Sequence, residues 1–152
     1  MSGSVVTAIH REDFERWRIL WRGYLEFYET GLPEATYRHT FARIVAKKSP
    51  IRAFGVRLGG EHAPLVGIVH YLFHAHSWSE REVCYLQDLF VEKESRGQGV
   101  GRRLIEAVAA VACERGCYRL YWTTQEGNAA ARKLYDRIAA YNGFIRYDYA
   151  LP

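Results

Sequence analysis

Residues 90–108, FVEKESRGQGVGRRLIEAV, place Gly97, Gly99 and Gly101 at alternate positions between a β-prone run and a helix-forming run, with Arg96, Arg102 and Arg103 on either side. Glycine admits positive φ and lets a ligand approach the backbone with no Cβ in the way. N–H groups converge in such a turn, and the helix that follows adds the positive end of its dipole. The chemistry this predicts is the holding of an anion, phosphate above all. A plain tight turn would show the same glycines, so spacing has to discriminate. A P-loop needs GxxxxGK[ST], which occurs nowhere in the chain. A dinucleotide fold needs GxGxxG after the first strand of a βαβ unit. Here the glycines run GxGxG and stand two-thirds of the way along.

Other residues with chemistry to offer lie close by in sequence. VCYLQDLFV (83–91) alternates, with Tyr85, Gln87 and Leu89 on one face and Leu86, Asp88 and Phe90 on the other. Asp88 is a candidate carboxylate for proton transfer, or a structural acceptor for nearby backbone. HYLFHAHSW (70–78) sets His70, His74 and His76 on one strand face. His70 and His76 would stand roughly 20 Å apart, too far to share one metal ion. The pocket-lining reading takes His70, Tyr71 and Trp78; the plainer one takes exposed histidines at a strand end. Asn128 is placed to cap a helix. Tyr135 follows seven residues later on the same helix face, either as a functional phenol or as an aromatic packed beside Leu134 and Ile138.

The elements that must position these groups fit within 152 residues, the length of one domain, expected to span 1–152. Apolar residues make up 49% and charged residues 25%, as in ordinary globular chains. No apolar run approaches the ~20 residues that span a bilayer. The opening MSGSVVTAIHRED lacks a signal peptide's hydrophobic stretch. Cys84, Cys113 and Cys117 are odd in number without CxxC spacing, which predicts reduced thiols in a cytoplasmic protein and no zinc set. The net charge of +4 is spread out rather than gathered in a stripe with exposed aromatics, which argues against a specific nucleic-acid module. Strand 5–9, helices 11–29 and 34–47, strands 51–58, 64–76 and 83–91, a helix over 101–115, strand 118–124, a helix after Asn128 and a last strand over 143–151 make an α/β sheet layered with helices.

The motif [RQ]-x-x-G-x-[GA] is met by Arg96-Gly97-Gln98-Gly99-Val100-Gly101, which resembles the pyrophosphate-binding motif of the GNAT superfamily of acetyl-CoA-dependent N-acetyltransferases. The resemblance extends over nearly the whole chain and is strongest from Val66 to Tyr147. YLQDLFV is similar to that family's fourth strand, and YWTTQEGNAAARKLYDRIAAYNGFIRY to its fifth strand and fourth helix. The branch with spermidine/spermine and histone or polyamine acetyltransferases is the one it resembles in particular. The fold implied is a mixed, mostly antiparallel sheet of about six to seven strands. Helices cover both faces, and a V-shaped split opens between strands 4 and 5.

The resemblance also implies roles. Backbone groups of Leu89, Phe90 and Val91 would pair with the pantetheine arm of acetyl-CoA, the backbone of Arg96, Gly97, Gln98, Gly99, Val100, Gly101 and Arg102 would hold its pyrophosphate, and Asn128 would touch the arm again. Tyr135 would face the thioester sulfur. A phenol near ~10 donating fully to a thiolate near ~8.5 runs uphill by roughly 2 kcal/mol, so a strengthening hydrogen bond describes that role better. The attacking amine, near ~10.4, is protonated at neutral pH and must lose a proton. Similar polyamine enzymes carry a glutamate where this chain has Gln87, which leaves Asp88, Glu126 or a water chain as acceptor. The acetyl group would pass directly to an amine of a small molecule or a protein, with no metal and no acyl-cysteine at Cys84. A homodimer is common among similar proteins. The rival reading is a CoA-binding regulatory or sensor domain without turnover.

Overall fold

β3 (Leu65–His74) and β4 (Val83–Val91) are nearly unbroken apolar runs because both of their faces are covered. With β1 (Ser4–Thr7), β2 (Arg52–Leu58) and β5 (Arg119–Tyr121) they form a sheet of order β1-β2-β3-β4-β5. Neighbours are antiparallel except β4 and β5, which run parallel. The computed structural model describes residues 3–152. They form two compact units, one running to Trp122 and the other from Thr123 to Pro152.

In the first unit, α1 (Phe14–Phe27) and α2 (Glu34–Ala46) cover one face of the sheet. The aromatic stripe of α1 does what its spacing predicts: Trp17, Leu20, Trp21 and Leu25 meet Tyr37, Phe41 and Ile44 of α2 over Leu65 and Ile68. α3 (Val100–Glu114) covers the other face, where Val100 and Leu104 approach Gly67 closely. Residues 11–13, expected as the first turn of α1, wind instead as a 3-10 turn. Asp13 there accepts from the His10 backbone N–H at 2.8 Å and pairs with Arg57 of β2 at 2.7 Å. Arg57 also donates to Thr7 Oγ1 and to the Ala63 carbonyl, so each of its three guanidinium nitrogens has an acceptor.

Two irregularities shape β4. Its register against β3 slides by one residue between His70 and Tyr71, so His70 faces Asp88, Tyr71 faces Leu86, and Gln87 is left as the extra residue of a bulge. Its pairing with β5 lasts only three residues, from Val83↔Arg119 to Tyr85↔Tyr121. Beyond Tyr85 the two strands part, and the β5 side of β4 has no ladder partner. This is the expected V between strands 4 and 5.

The second unit contains α4 (Ala129–Ile138), with Asn128 as its N-cap accepting from the Ala131 N–H. The strand expected over 143–151 is not formed, and the sheet has five strands rather than six to seven. The segment has the right alternation, but alternation only suits a residue run to a sheet. A strand also needs a neighbouring ladder, and here none is paired to it.

Replacing Asp13 by Ala leaves the Arg57 guanidinium buried with its countercharge gone. We expect a loss of about 3 kcal/mol in urea unfolding, far above the cost of removing an exposed ion pair such as Arg22–Glu26. A loss below 1 kcal/mol would contradict this account of the β2–α1 junction.

Candidate functional site

The end of β4 delivers the chain to a 3-10 turn (Lys93–Ser95) and then to the glycines. Glu92 fixes this exit: its carboxylate is paired with Arg16 of α1 and accepts from Ser95 Oγ at 2.9 Å. Arg96 donates from Nε to the Val91 carbonyl at 2.9 Å and lays its guanidinium over the Phe90 ring. Gly97 and Gly99 then take φ of 76° and 78°, a region that costs other residues roughly 1–2 kcal/mol. A Cβ added at either would meet nothing within 4 Å. The glycines are therefore required by backbone conformation and not by packing, and the space above them is open.

Gly99 is the N-cap of α3, and the first intrahelical bond runs from the Arg103 N–H to the Gly99 carbonyl. The N–H groups of Val100, Gly101 and Arg102 thus head the helix without intrahelical acceptors. Arg102 shares its charge with Glu106 at 2.8 Å, Arg103 reaches the Ser4 carbonyl, and Gln98 rests against the Glu94 carbonyl. Upstream, Leu89, Phe90 and Val91 pair with Val69, Ile68 and Gly67 of β3 on one side only. The cradle and the free edge of β4 are consecutive in the chain. A phosphate ester carrying an extended, amide-bearing arm fits both: anion to the N–H groups, amides to the edge.

Behind the edge lies a buried polar chain. Trp17 Nε1 donates to His70 Nε2 at 2.9 Å, so the His70 proton sits on Nδ1, which donates to Asp88 Oδ2 at 2.8 Å. His70 is 2% exposed with both ring nitrogens taken. It is a neutral connector here and not half of an ion pair, because a protonated Nε2 could not accept from the indole. Asp88 also accepts from the Tyr24 hydroxyl. Burial, and then the charge of Asp88, drives the Tyr24 phenol well above its ordinary range, so Tyr24 stays a neutral donor at any working pH. The bulge makes this arrangement possible: it brings Asp88 opposite His70 while Gln87, next to it, is exposed.

At the mouth of the V, Tyr85 stacks on Tyr121 at 4.9 Å, and the Tyr121 hydroxyl meets His74 Nε2 at 2.8 Å. Tyr24 packs against Tyr28. The residues singled out from sequence divide accordingly. His70, Asp88 and Gln87 come together. Tyr71 lies on the alternate face of β3 from His70, stacked on Phe54 and edge-on to Phe73, so the two do not line one pocket. Trp78 is 74% exposed in the β3–β4 connection beside His76. Tyr24 and Trp17 were legible only as members of a core stripe; their polar atoms carry a second role that spacing does not reveal. In the second unit, Asn128 also donates to Thr124 Oγ1 at 3.2 Å, and Tyr135 is half-buried on α4. Among the described residues no helix is long and apolar enough to cross a membrane, and no three His, Cys, Asp or Glu gather as a metal would require.

Comparison with known proteins bears on the family and on the fold. The model of the acetyltransferase (GNAT) family matches residues 14–141. The D-amino-acid N-acetyltransferase HPA3 of Saccharomyces cerevisiae is 38% identical over 136 residues, covering 89% of this chain and 83% of that protein. The thialysine N-epsilon-acetyltransferase of Bos taurus is 38% identical over 76 residues, 50% of this chain and 44% of that one. Among solved structures, a ribosomal-protein-alanine N-acetyltransferase from Brucella melitensis superposes with a TM-score of 0.79 at 21% identity, over 98% of this chain and all of that one. The aminoglycoside acetyltransferase AAC(6')-Iy, bound to a bisubstrate analogue, superposes with a TM-score of 0.82 at 17% identity, over 99% of this chain and 100% of that one. At such identities these two structures speak to fold alone.

Cys84, at the heart of β4, is buried, and that burial, reinforced by the nearby Cys117 thiol, pushes its own thiol from an ordinary 9.0 up to about 12. A raised folded-state value means stability that is complete below pH 9 and lost as pH climbs toward 12. The melting temperature should fall across that window, and Cys84→Ala should make the fall shallower by up to one proton's worth of slope, about 1.4 kcal/mol per pH unit. Parallel slopes would mean that Cys84 ionises as freely folded as unfolded.

Proposed function

The chain belongs to the acetyltransferase (GNAT) family, and on that premise we propose that it transfers the acetyl group of acetyl-CoA to the amine of a small amino acid. The observation that carries the donor half is the continuity of the free β4 edge with the glycine cradle. Leu89, Phe90 and Val91 offer the pantetheine arm a strand to lie against. The N–H groups from Gly97 to Arg102 face the pyrophosphate, that of Arg96 being turned to the Lys93 carbonyl, while the Arg96 side chain supplies charge. Asn128 and Tyr135 are assigned to the arm and the sulfur by likeness to the family. Acetyl-CoA supplies the activated acyl group; what this chain adds is placement, charge complementarity and a route for one proton.

The acceptor half rests on the polar chain and on the relatives. HPA3 is named for D-amino acids and the bovine relative for thialysine, both amino-acid amines. A polyamine would call for several carboxylates, yet Gln87 is neutral and Asp88 is already engaged by two donors. One carboxylate reached through one hydroxyl suits one amine. The substrate nitrogen would sit at the Tyr24 hydroxyl. As the nitrogen bonds to the acyl carbon, its proton passes to the Tyr24 oxygen while the Tyr24 proton moves to Asp88; the carbon–sulfur bond then breaks, and CoA leaves as the thiolate, which takes its proton from solvent. His70, held by Trp17, keeps the carboxylate aimed. Cys84 takes no part, since a thiol kept protonated to about pH 12 is no nucleophile at neutral pH.

Acetyl-CoA and CoA, but not NADH, should raise the melting temperature, by roughly 5–10 °C at one hundred times the dissociation constant. Gly99→Ala should lose about 1 kcal/mol of stability from its positive φ and keep the ligand shift. Gly99→Asp should lose both, since it sets a negative charge among the phosphates. Failure of acetyl-CoA to shift the wild-type chain at millimolar concentration would sink the donor assignment. For the acceptor, Asp88→Asn should lower kcat by about 10²–10⁴-fold with little change in KM. An unchanged kcat would remove Asp88 from the proton route.

A further inference from the structure

The first turn of α1 grips both ends of the β4 edge assigned to the pantetheine arm. Trp17 reaches Asp88 through His70, from indole to imidazole at 2.9 Å and from imidazole to carboxylate at 2.8 Å. Its chain neighbour Arg16 pairs with Glu92, the residue that follows β4. Asp88 and Glu92 stand four residues apart, about 13 Å of extended chain, and residues 89–91 lie between them.

Glu92 controls where the cradle begins. Its backbone N–H donates to the Val66 carbonyl at 2.9 Å, which carries the β3–β4 pairing one residue past the strand. One of its carboxylate oxygens accepts from the Ser95 hydroxyl at 2.9 Å, and the other from the Arg16 guanidinium. Arg16 donates from Nε to the Leu65 carbonyl at 2.6 Å, so it is anchored on the start of β3 as well. Ser95 is 5% exposed, and its N–H closes the 3-10 turn on the Glu92 carbonyl at 3.0 Å. Gly97 follows two residues later. One carboxylate, aimed by one guanidinium on α1, thus fixes the turn through charge-assisted bonds, the stronger kind. We infer that Arg16 is a positioning residue for acetyl-CoA: through Glu92 and Ser95 it holds the phosphate cradle at a set distance from Asp88, so that an arm anchored by its phosphates brings the thioester carbon to the acceptor amine. The inference rests on the donor site assigned above. Trp17 sets one end of the span and Arg16 the other, and both belong to a single helical turn. Such placement matters, because an error of about 1 Å can cost on the order of a hundredfold in rate.

Calorimetric titration with CoA, joined to kinetics with two donors, tests this. Arg16 borders the open cavity beside β1 and is 32% exposed, so truncating it admits water to Glu92 and leaves no sealed void. Arg16→Ala should raise the dissociation constant of CoA about tenfold, since the turn is no longer preorganised. It should lower kcat/KM for acetyl-CoA at least as much, yet leave kcat/KM for S-acetylpantetheine, which has no phosphates to seat, within about twofold. Arg16→Lys keeps a charge for Glu92 without the planar fork and should recover part of the CoA affinity. Unchanged CoA affinity in Arg16→Ala overturns the inference, as do equal losses with both donors or no recovery by Lys. A wild-type chain that fails to bind CoA overturns the donor site and the inference together, whereas equal binding by wild type and variant overturns the inference alone. Where no amine is turned over, CoA affinity and its recovery by Lys decide. Should Arg16→Ala not fold, Glu92→Gln decides, with an expected loss of about threefold in CoA affinity and an unchanged affinity counting against.

Discussion

The parting of β4 from β5 after Tyr85 is the constraint on which the other features of the site depend. A strand inside a sheet normally has both rows of backbone groups taken, and unpaired groups buried away from water are costly. Here β4 has no ladder partner on its β5 side over residues 86–91, and of its groups the Val91 carbonyl is taken by Arg96 Nε. The rest stand open to a ligand laid along the strand. The chain then turns at once into Gly97 and Gly99, so the free edge points straight at the head of α3. A ligand with amides at one end and phosphates at the other suits both halves.

The same strand solves a second problem through its bulge. β4 has to be apolar to be covered by α1 on one face and α3 on the other, yet the acceptor side needs a carboxylate. Inserting Gln87 shifts the register by one, which turns Asp88 toward His70 and Tyr24 and leaves Gln87 in the open. Burying Asp88 unpaired would cost several kcal/mol. The Trp17–His70 donor chain offsets that cost and fixes the carboxylate's direction. Position and protonation pattern are thus set by α1, a helix whose visible function is only to build the core.

Much of this was legible in the sequence, for reasons that can be named. β4 was read over 83–91, the bounds it has, because a fully covered strand is a continuous β-prone run; α3 followed from glycine punctuation and a clean apolar face. The cradle was legible because its requirement is local: backbone conformation and helix polarity act over a few residues. The Asp88–His70–Trp17 chain was not, since it depends on register across two strands and a helix, and a single bulge reassigns every partner. Pairing His70 with Tyr71 as pocket residues failed on the simplest count, that successive strand residues face opposite ways. The strand over 143–151 was read from a genuine pattern, but a pattern specifies a face and not its partner.

A sheet has as many liabilities as it has open edges, and this one treats its three differently. β1 is short, and the Ser4 carbonyl is held by Arg103. The inner edge of β4 is sheltered within the V and suited to a ligand's amides. The outer edge of β5 is only three residues long, and its first residue is the exposed Arg119, whose guanidinium lies over the Tyr118 ring. Shortness and a charge on the edge are two of the devices by which a sheet keeps other chains from adding to it. The edge left open to pairing is therefore the one inside the V, where a ligand and not another chain has the amides to fill it.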